Sequence, residues 1–105
     1  MSCEIVWSRI ASESLNETIE FLKKESRSSA SRIKAEIGEV VSQLSRFPLL
    51  GPVYERDEFH RIREVLNHPF RIFYRVYPKR TQVVVLLIWH VSRDEPDLNM
   101  LRLTR

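Results

Sequence analysis

Hydrophobic and polar residues alternate in the middle of the chain, and this alternation predicts two neighbouring β-strands. The first is predicted over residues 59–66 and the second over Phe70–Tyr77, with a turn at 67–69. A third strand is predicted over Gln82–His90, after a polar hairpin loop at 78–81. This last strand is apolar on both sides, which is typical of a central strand covered on both faces.

A short strand and a helix are predicted ahead of this segment. The strand, Glu4–Trp7, is rich in β-branched and aromatic residues. The helix is predicted from leucines and isoleucine recurring at i, i+4 and i+7: Leu15, Ile19 and Leu22. Its N-cap is predicted at Ser14, which forms a capping-box pattern with Glu17, or alternatively at Ser12. Residues 26–31 (SRSSAS) predict a turn into a second helix.

The second helix is predicted to run to about Ser45. Its inward stripe consists of Ile33, Ile37, Val40, Val41 and Leu44. Gly38 costs it about 1 kcal/mol relative to alanine, and we expect another element to approach closely there. Pro48, Gly51 and Pro52 end the helix and begin a loop. In the tail, 91–105, Asp97 is a candidate cap for a short helix carrying Leu98, Leu101 and Leu103.

The predicted order is β-α-α-β-β-β in a single domain over residues 1–105. Two helices joined by a short turn form a helical hairpin. The expected fold is therefore α+β, a mostly antiparallel four-stranded sheet packed on one face by that hairpin, with a short C-terminal helix or tail. We expect the other face to be concave or basic.

Charge is distributed unevenly along the chain. Residues 1–58 hold eight Lys/Arg against ten Asp/Glu, whereas residues 59–105 hold nine against four. This polarity favours a nucleic acid or an acidic protein as the partner, although a solvated basic face has the same composition. Arg61, Arg63, Arg71 and Arg75 alternate with apolar residues, so we expect one buried side and one basic side. This is the layout of a sheet that binds something anionic.

Other chemistry is weakly represented. The single cysteine, Cys3, cannot form an internal disulfide and suits a reducing compartment. The longest apolar run, 83–89, is too short to cross a bilayer, and we expect a cytoplasmic protein without membrane contact. His60 and His68 lack metal-ligand spacing, so no metal site is predicted. With two glycines there is no phosphate-binding loop. No cofactor and no small-molecule substrate are expected.

Three side chains have two interpretations each. Arg71 is either a partner contact or a structural arginine paired with Glu64 on the neighbouring strand. His90 is either an acid/base group or a packed, hydrogen-bonded histidine. Tyr74 lies on the same strand face as Ile72, which favours core packing with its hydroxyl at an edge.

An ordered set of short motifs resembles the RelE/ParE superfamily of bacterial toxins from toxin–antitoxin modules. The set consists of Pro48-Leu49-Leu50-Gly51, Arg63, Phe70-Arg71-Ile72-Phe73-Tyr74, Ile88-Trp89-His90 and Arg93. The resemblance spans nearly the whole chain. It implies a cognate antitoxin, often acidic and flexible, as a binding partner.

The superfamily contains two chemistries. RelE-like members cut mRNA in the ribosome without metal, and on that branch the resemblance implies Arg61, Arg63, Arg71, His90 and Arg93 as catalytic residues. Arginine is a poor general base because it stays protonated, and no tyrosine follows Tyr77 to match the C-terminal tyrosine of that branch.

ParE-like members inhibit DNA gyrase by binding it and so block replication. The ending His90-x-x-Arg93 and the string REVLNHPFRIFYRV resemble this branch, which we favour. It implies partner-binding rather than catalytic roles for Arg61, Arg63, Arg71, Arg75, His90 and Arg93. The ribosome and mRNA are the alternative partners, and an inactive family member that serves as an antitoxin-binding or DNA-regulating module is a third possibility.

Overall fold

The computed structural model describes the backbone of residues 2–103 and the side chains of residues 2–101. These residues form four strands and three α-helices: β1 Glu4–Trp7, α1 Arg9–Glu25, α2 Arg27–Arg46, β2 Ile62–Asn67, β3 Phe70–Tyr77, β4 Gln82–His90 and α3 Leu98–Leu103. A 3₁₀ turn, Pro78–Arg80, connects β3 to β4. The predicted α+β fold is confirmed.

The four strands form one sheet in the order β1-β4-β3-β2. β1 runs parallel to β4, and the other neighbours are antiparallel. The helical hairpin covers one face, which we call the helix face. Its core includes Ile19 of α1 and Ile37 of α2 packed with Phe70, Ile72 and Ile88 of the sheet. β4 is therefore a central strand, as its apolar sequence predicts.

The helix boundaries differ from the sequence prediction. α1 begins directly after β1, with Ser8 as N-cap instead of Ser12 or Ser14. The Ser8 Oγ accepts a hydrogen bond from the Ala11 amide at 3.0 Å and donates to the Leu86 carbonyl at 3.3 Å. The predicted turn over 26–31 is also wrong, because Ser26 alone ends α1 and caps α2. A single residue suffices since its extended backbone and its Oγ satisfy both helix ends.

β2 begins at Ile62 instead of residue 59, and a buried carboxylate is the reason. Asp57 is 1% exposed and accepts hydrogen bonds from the amides of Arg61 at 2.7 Å and Ile62 at 2.9 Å. His60 adopts a left-handed backbone with φ 55°. Residues 57–61 therefore form a turn, because the Arg61 amide bonds to the Asp57 side chain and the His60 amide to the Asp57 carbonyl instead of to β3.

The centre of the second face of the sheet is covered by apolar side chains, which corrects the expectation of a concave or basic face. Phe73, Leu86 and Leu87 pack there with Tyr54 and Leu101. The register shifts so that Phe73 pairs with Leu87 and Tyr74 with Val85, which leaves Leu86 as an extra residue in β4. This β-bulge lets the adjacent residues Leu86 and Leu87 join the same cluster.

The tail follows the prediction where it is described. The Asp97 carboxylate accepts a hydrogen bond from the Asn99 amide at 2.9 Å, and α3 buries Leu101 to 1% exposure. The predicted inward side chain of Leu103 lies outside the described side chains. The expected close approach at Gly38 is not observed, since a Cβ built there meets nothing within 4 Å.

Candidate functional site

The arginines that the sequence places on one basic side lie on both faces of the sheet. Paired residues of neighbouring antiparallel strands share a face. Arg63 pairs with Tyr74, which packs against α2 on the helix face. Arg71 pairs with Leu66, and Arg75 with Ile62, on the opposite face. The expectation of one basic face is therefore wrong, because the register between β2 and β3 offsets their arginines.

Arg71 is the centre of a network with Glu64, Glu95 and Tyr54, which we call the Arg71 network. Its Nε donates to Glu64 at 2.9 Å, and its Nη1 and Nη2 donate to the two carboxylate oxygens of Glu95 at 2.8 and 3.0 Å. The Tyr54 hydroxyl donates to Glu95 at 2.6 Å. All three guanidinium nitrogens are thus committed to carboxylates, and the side chain of Arg71 is 14% exposed. The structural interpretation, pairing with Glu64, describes the observed contact.

The network shifts the ionisation of its members. Hydrogen bonds from Arg71 and then from Tyr54 lower the pKa of Glu95 to about 2. Burial, followed by the hydrogen bond to Glu95, raises the pKa of Tyr54 to about 12. The Arg71 pKa is raised, chiefly by its hydrogen bonds to Glu95. Each of these pKa values therefore lies further from neutral pH than in water, whereas a catalytic acid or base needs a pKa close to neutral pH.

Arg63 holds a loop instead of lining a cleft. Its Nη1 donates to the Gly51 carbonyl at 2.8 Å, while the Gly51 amide donates to the Tyr74 hydroxyl at 2.8 Å. Tyr74 is fully buried, and burial raises its pKa. A Cβ on Gly51 would lie 2.2 Å from the Glu64 carbonyl oxygen. Glycine is thus required where the Pro–Gly segment docks on β2, and Tyr74 packs as predicted.

Two further arginines stack on aromatic rings. The Arg61 guanidinium lies 5.7 Å from the Phe59 ring centre, on the exposed turn before β2. The Arg75 guanidinium lies 4.5 Å from the Tyr77 ring centre, and Arg80 lies 5.2 Å from the same ring. These contacts position the cations without neutralising their charge.

His90 and Arg93 border a different surface. His90 Nδ1 accepts a hydrogen bond from the Ser92 amide at 3.0 Å, and the imidazole packs edge-on against Phe70. Arg93 lies 3.6 Å from the Trp89 ring centre. An open groove of about 650 Å³ lies between this region and α1, lined among others by Phe21 and Phe70. His90 therefore fits the packed, hydrogen-bonded interpretation.

The sequence reasoning missed Glu95 and Tyr54, which lie far from Arg71 along the chain and outside its periodic segments. It treated Lys79 and Arg80 as ordinary loop residues, although their charges were visible. Among residues 2–101, no cluster of three or more His, Cys, Asp or Glu is suited to a metal ion. In the described part of the chain, no helix is long and apolar enough to span a bilayer.

Comparisons with known proteins agree with this architecture. A chain in the crystal structure of the RelBE2 toxin–antitoxin complex from Mycobacterium tuberculosis matches with a TM-score of 0.67 and 24% identity. The match covers 86% of this chain and 99% of that chain. No curated protein matches the sequence.

The structural match shows that this strand order and helical hairpin form a shared fold, and the RelE/ParE resemblance of the sequence motifs is confirmed by a family model. A family model described as the ParE toxin of the type II toxin–antitoxin system parDE matches residues 5–95. The chain therefore belongs to the ParE toxin family of type II toxin–antitoxin systems.

Proposed function

We propose that this chain is a toxin that inhibits DNA gyrase by binding it, and that it has no nuclease activity of its own. The observation that carries the proposal is the state of Arg71. In the RelE-like interpretation this side chain would stabilise a phosphate in the transition state. In this structure its three nitrogens are occupied by Glu64 and Glu95.

The charge of the Arg71 network supports the same conclusion. One guanidinium faces two carboxylates, so the group carries a net charge of −1 while both acids are ionised. The low pKa of Glu95 keeps that acid ionised at neutral pH. An incoming phosphate would therefore meet two like charges and would have to displace them, which is unfavourable at a partly buried site.

The remaining members of the RelE-like set do not form an acid/base pair. His90 Nδ1 accepts from the Ser92 amide, so the neutral ring carries its proton on Nε2 and presents a donor there, not a base. Arg63, bonded to Gly51, lies on the helix face, opposite Arg71. Neither His90 nor Arg63 is therefore arranged as an acid or base that would act together with Arg71.

We further infer that a cognate antitoxin binds this chain and covers exposed apolar surface. The family is defined by toxin–antitoxin systems, and the matched RelBE2 structure is such a complex. Leu50, Leu66 and Val91 are 49%, 59% and 38% exposed and line one groove of about 340 Å³ beside Arg71. Such a contiguous apolar surface favours a protein partner.

The test uses purified gyrase and relaxed plasmid. Added in stoichiometric excess, the full chain should abolish supercoiling and increase cleaved DNA after detergent treatment, and co-purified antitoxin should reverse both effects. A parallel translating extract measures message integrity. Unchanged supercoiling would remove the proposal, and cleaved message in the extract would replace it with the endonuclease alternative.

A further inference from the structure

The end of the β3–β4 hairpin holds two guanidinium groups against one tyrosine ring, with Lys79 next to Arg80 in the 3₁₀ turn. We call Arg75, Tyr77, Lys79 and Arg80 the hairpin cluster. The guanidinium carbons of Arg75 and Arg80 lie 4.5 and 5.2 Å from the Tyr77 ring centre. Lys79 and Arg80 are exposed in the 3₁₀ turn, and Arg75 is half-buried. Like charges are thus held close together at the surface.

The backbone fixes this arrangement. Pro78 begins the 3₁₀ turn, and Thr81 ends it in a left-handed conformation with φ 53°. The Thr81 amide donates to the Pro78 carbonyl at 3.1 Å, and the Glu4 amide donates to the Thr81 carbonyl at 2.8 Å. Tyr77 packs against the apolar side chains, Phe73 and Leu86 among them, that lie on the second face of the sheet. The ring is therefore an anchored platform, and the cations on it are partly pre-organised.

No carboxylate neutralises the hairpin cluster in the part of the chain that the structure describes. None of the five ion pairs includes Arg75, Lys79 or Arg80. The register brings Glu4 to the same end of the sheet, but its carboxylate accepts from the Gln82 side chain at 2.8 Å. In contrast to the Arg71 network, this surface has three positive charges and unused N–H donors.

We propose that the hairpin cluster binds the phosphate backbone of a nucleic acid. Stacking on Tyr77 orients two guanidiniums but leaves their charge, so the mutual repulsion of the three cations is relieved by an anion. Arginine binds phosphate bidentately, and lysine adds a point charge. The three groups would contact neighbouring phosphates without reading bases. This inference goes beyond gyrase inhibition and does not depend on it.

The experiment measures binding of the full chain to short labelled oligonucleotides by fluorescence anisotropy at several salt concentrations. One arm uses duplex DNA and the other single-stranded RNA. Each lost phosphate contact should reduce the slope of log K against log salt by about 0.9 for the duplex and about 0.7 for the single strand. The triple variant Arg75→Gln, Lys79→Gln and Arg80→Gln should therefore lose most of the salt dependence, and the arm in which the wild type binds more tightly at equal salt identifies the nucleic acid.

A matched triple variant removes the same charge elsewhere. Arg9→Gln, Lys23→Gln and Arg32→Gln lie on exposed helix faces in pairs with glutamates. This control variant should keep nearly the full slope of log K against log salt. Because Arg75 is half-buried, the exposed pair Lys79→Gln and Arg80→Gln is also measured, and circular dichroism verifies the fold.

Three results would overturn the proposal. The first is wild-type binding without salt dependence, and the second is an equal loss in the cluster and control variants, which would reflect net charge alone. The third is unchanged nucleic-acid binding with weakened binding of a poly-glutamate peptide, which would assign the cluster to an acidic protein segment. No gyrase is present, so this outcome and the outcome of the supercoiling test are independent.

Discussion

Glu95→Gln tests the Arg71 network most directly. The substitution retains an oxygen that can accept from Arg71 and Tyr54, but it removes the negative charge. Glu95 accepts two hydrogen bonds from Arg71 and one from Tyr54. It joins the segment before α3 to β3 across 24 residues. The change should therefore weaken the attachment of the tail while leaving the sheet intact.

The magnitude follows from the Glu95 pKa, which falls from 4.5 to about 2. At 1.36 kcal/mol per pKa unit the full shift corresponds to about 3 kcal/mol. The Glu95 side chain is 33% exposed, so solvent screening reduces the expected contribution to about 2 kcal/mol. Because the folded pKa is lowered, the stabilisation is complete above the unfolded pKa near 4.5 and is lost as the pH falls toward 2.

The assay is urea unfolding followed by tryptophan fluorescence between pH 7 and pH 2.5. Glu95→Gln should lower the free energy of unfolding at pH 7, and its difference from wild type should shrink steadily below pH 4.5. Glu39→Gln, at an exposed position of α2, is the matched control. A difference that stays constant with pH, or equals that of the control, would refute the reasoning.

Two further predictions concern stability, each measured by the same unfolding assay at neutral pH. Gly51→Ala should lower the free energy of unfolding by about 3 kcal/mol, because the new Cβ would lie 2.2 Å from a backbone oxygen of β2. Gly38→Ala should raise it by about 1 kcal/mol, since nothing lies within 4 Å of the added Cβ. Equal effects of the two substitutions would contradict the docking of the Pro–Gly segment. Ser8→Ala should cost about 1–2 kcal/mol, because the Ala11 amide and Leu86 carbonyl lose a buried partner, and an effect below that of Ser42→Ala on the exposed face of α2 would contradict this capping role.

The sequence was sufficient for element order and for the faces of β3. Period-two alternation places Ile72 and Tyr74 on the helix face and Phe73 on the other, as observed. Composition alone identified β4 as central. These features can be predicted from the local sequence, because a strand buried on one face has alternating apolar residues and a strand buried on both faces has a continuous apolar run.

The arrangement between strands was not predictable in the same way. Alternation gives two faces within β2 and two within β3, but it does not say which faces coincide. The observed register pairs Arg63 with Tyr74 and Leu66 with Arg71, and a shift of one residue would have reversed the outcome. The start of β2 likewise depends on Asp57, whose carboxylate competes for backbone amides that a pattern of apolar residues cannot reveal.

The difference between the two arginine sites explains why a basic motif and a basic surface need not coincide. Arg71 belongs to the family motif, yet Glu64 and Glu95 make its surroundings net negative. Arg80 lies outside that motif, yet with Arg75 and Lys79 it forms a surface without an ion-pair partner among the described residues. Electrostatic attraction depends on the uncompensated charge. We therefore expect the basic excess of residues 59–105 to attract anionic partners more strongly at the hairpin cluster than at Arg71.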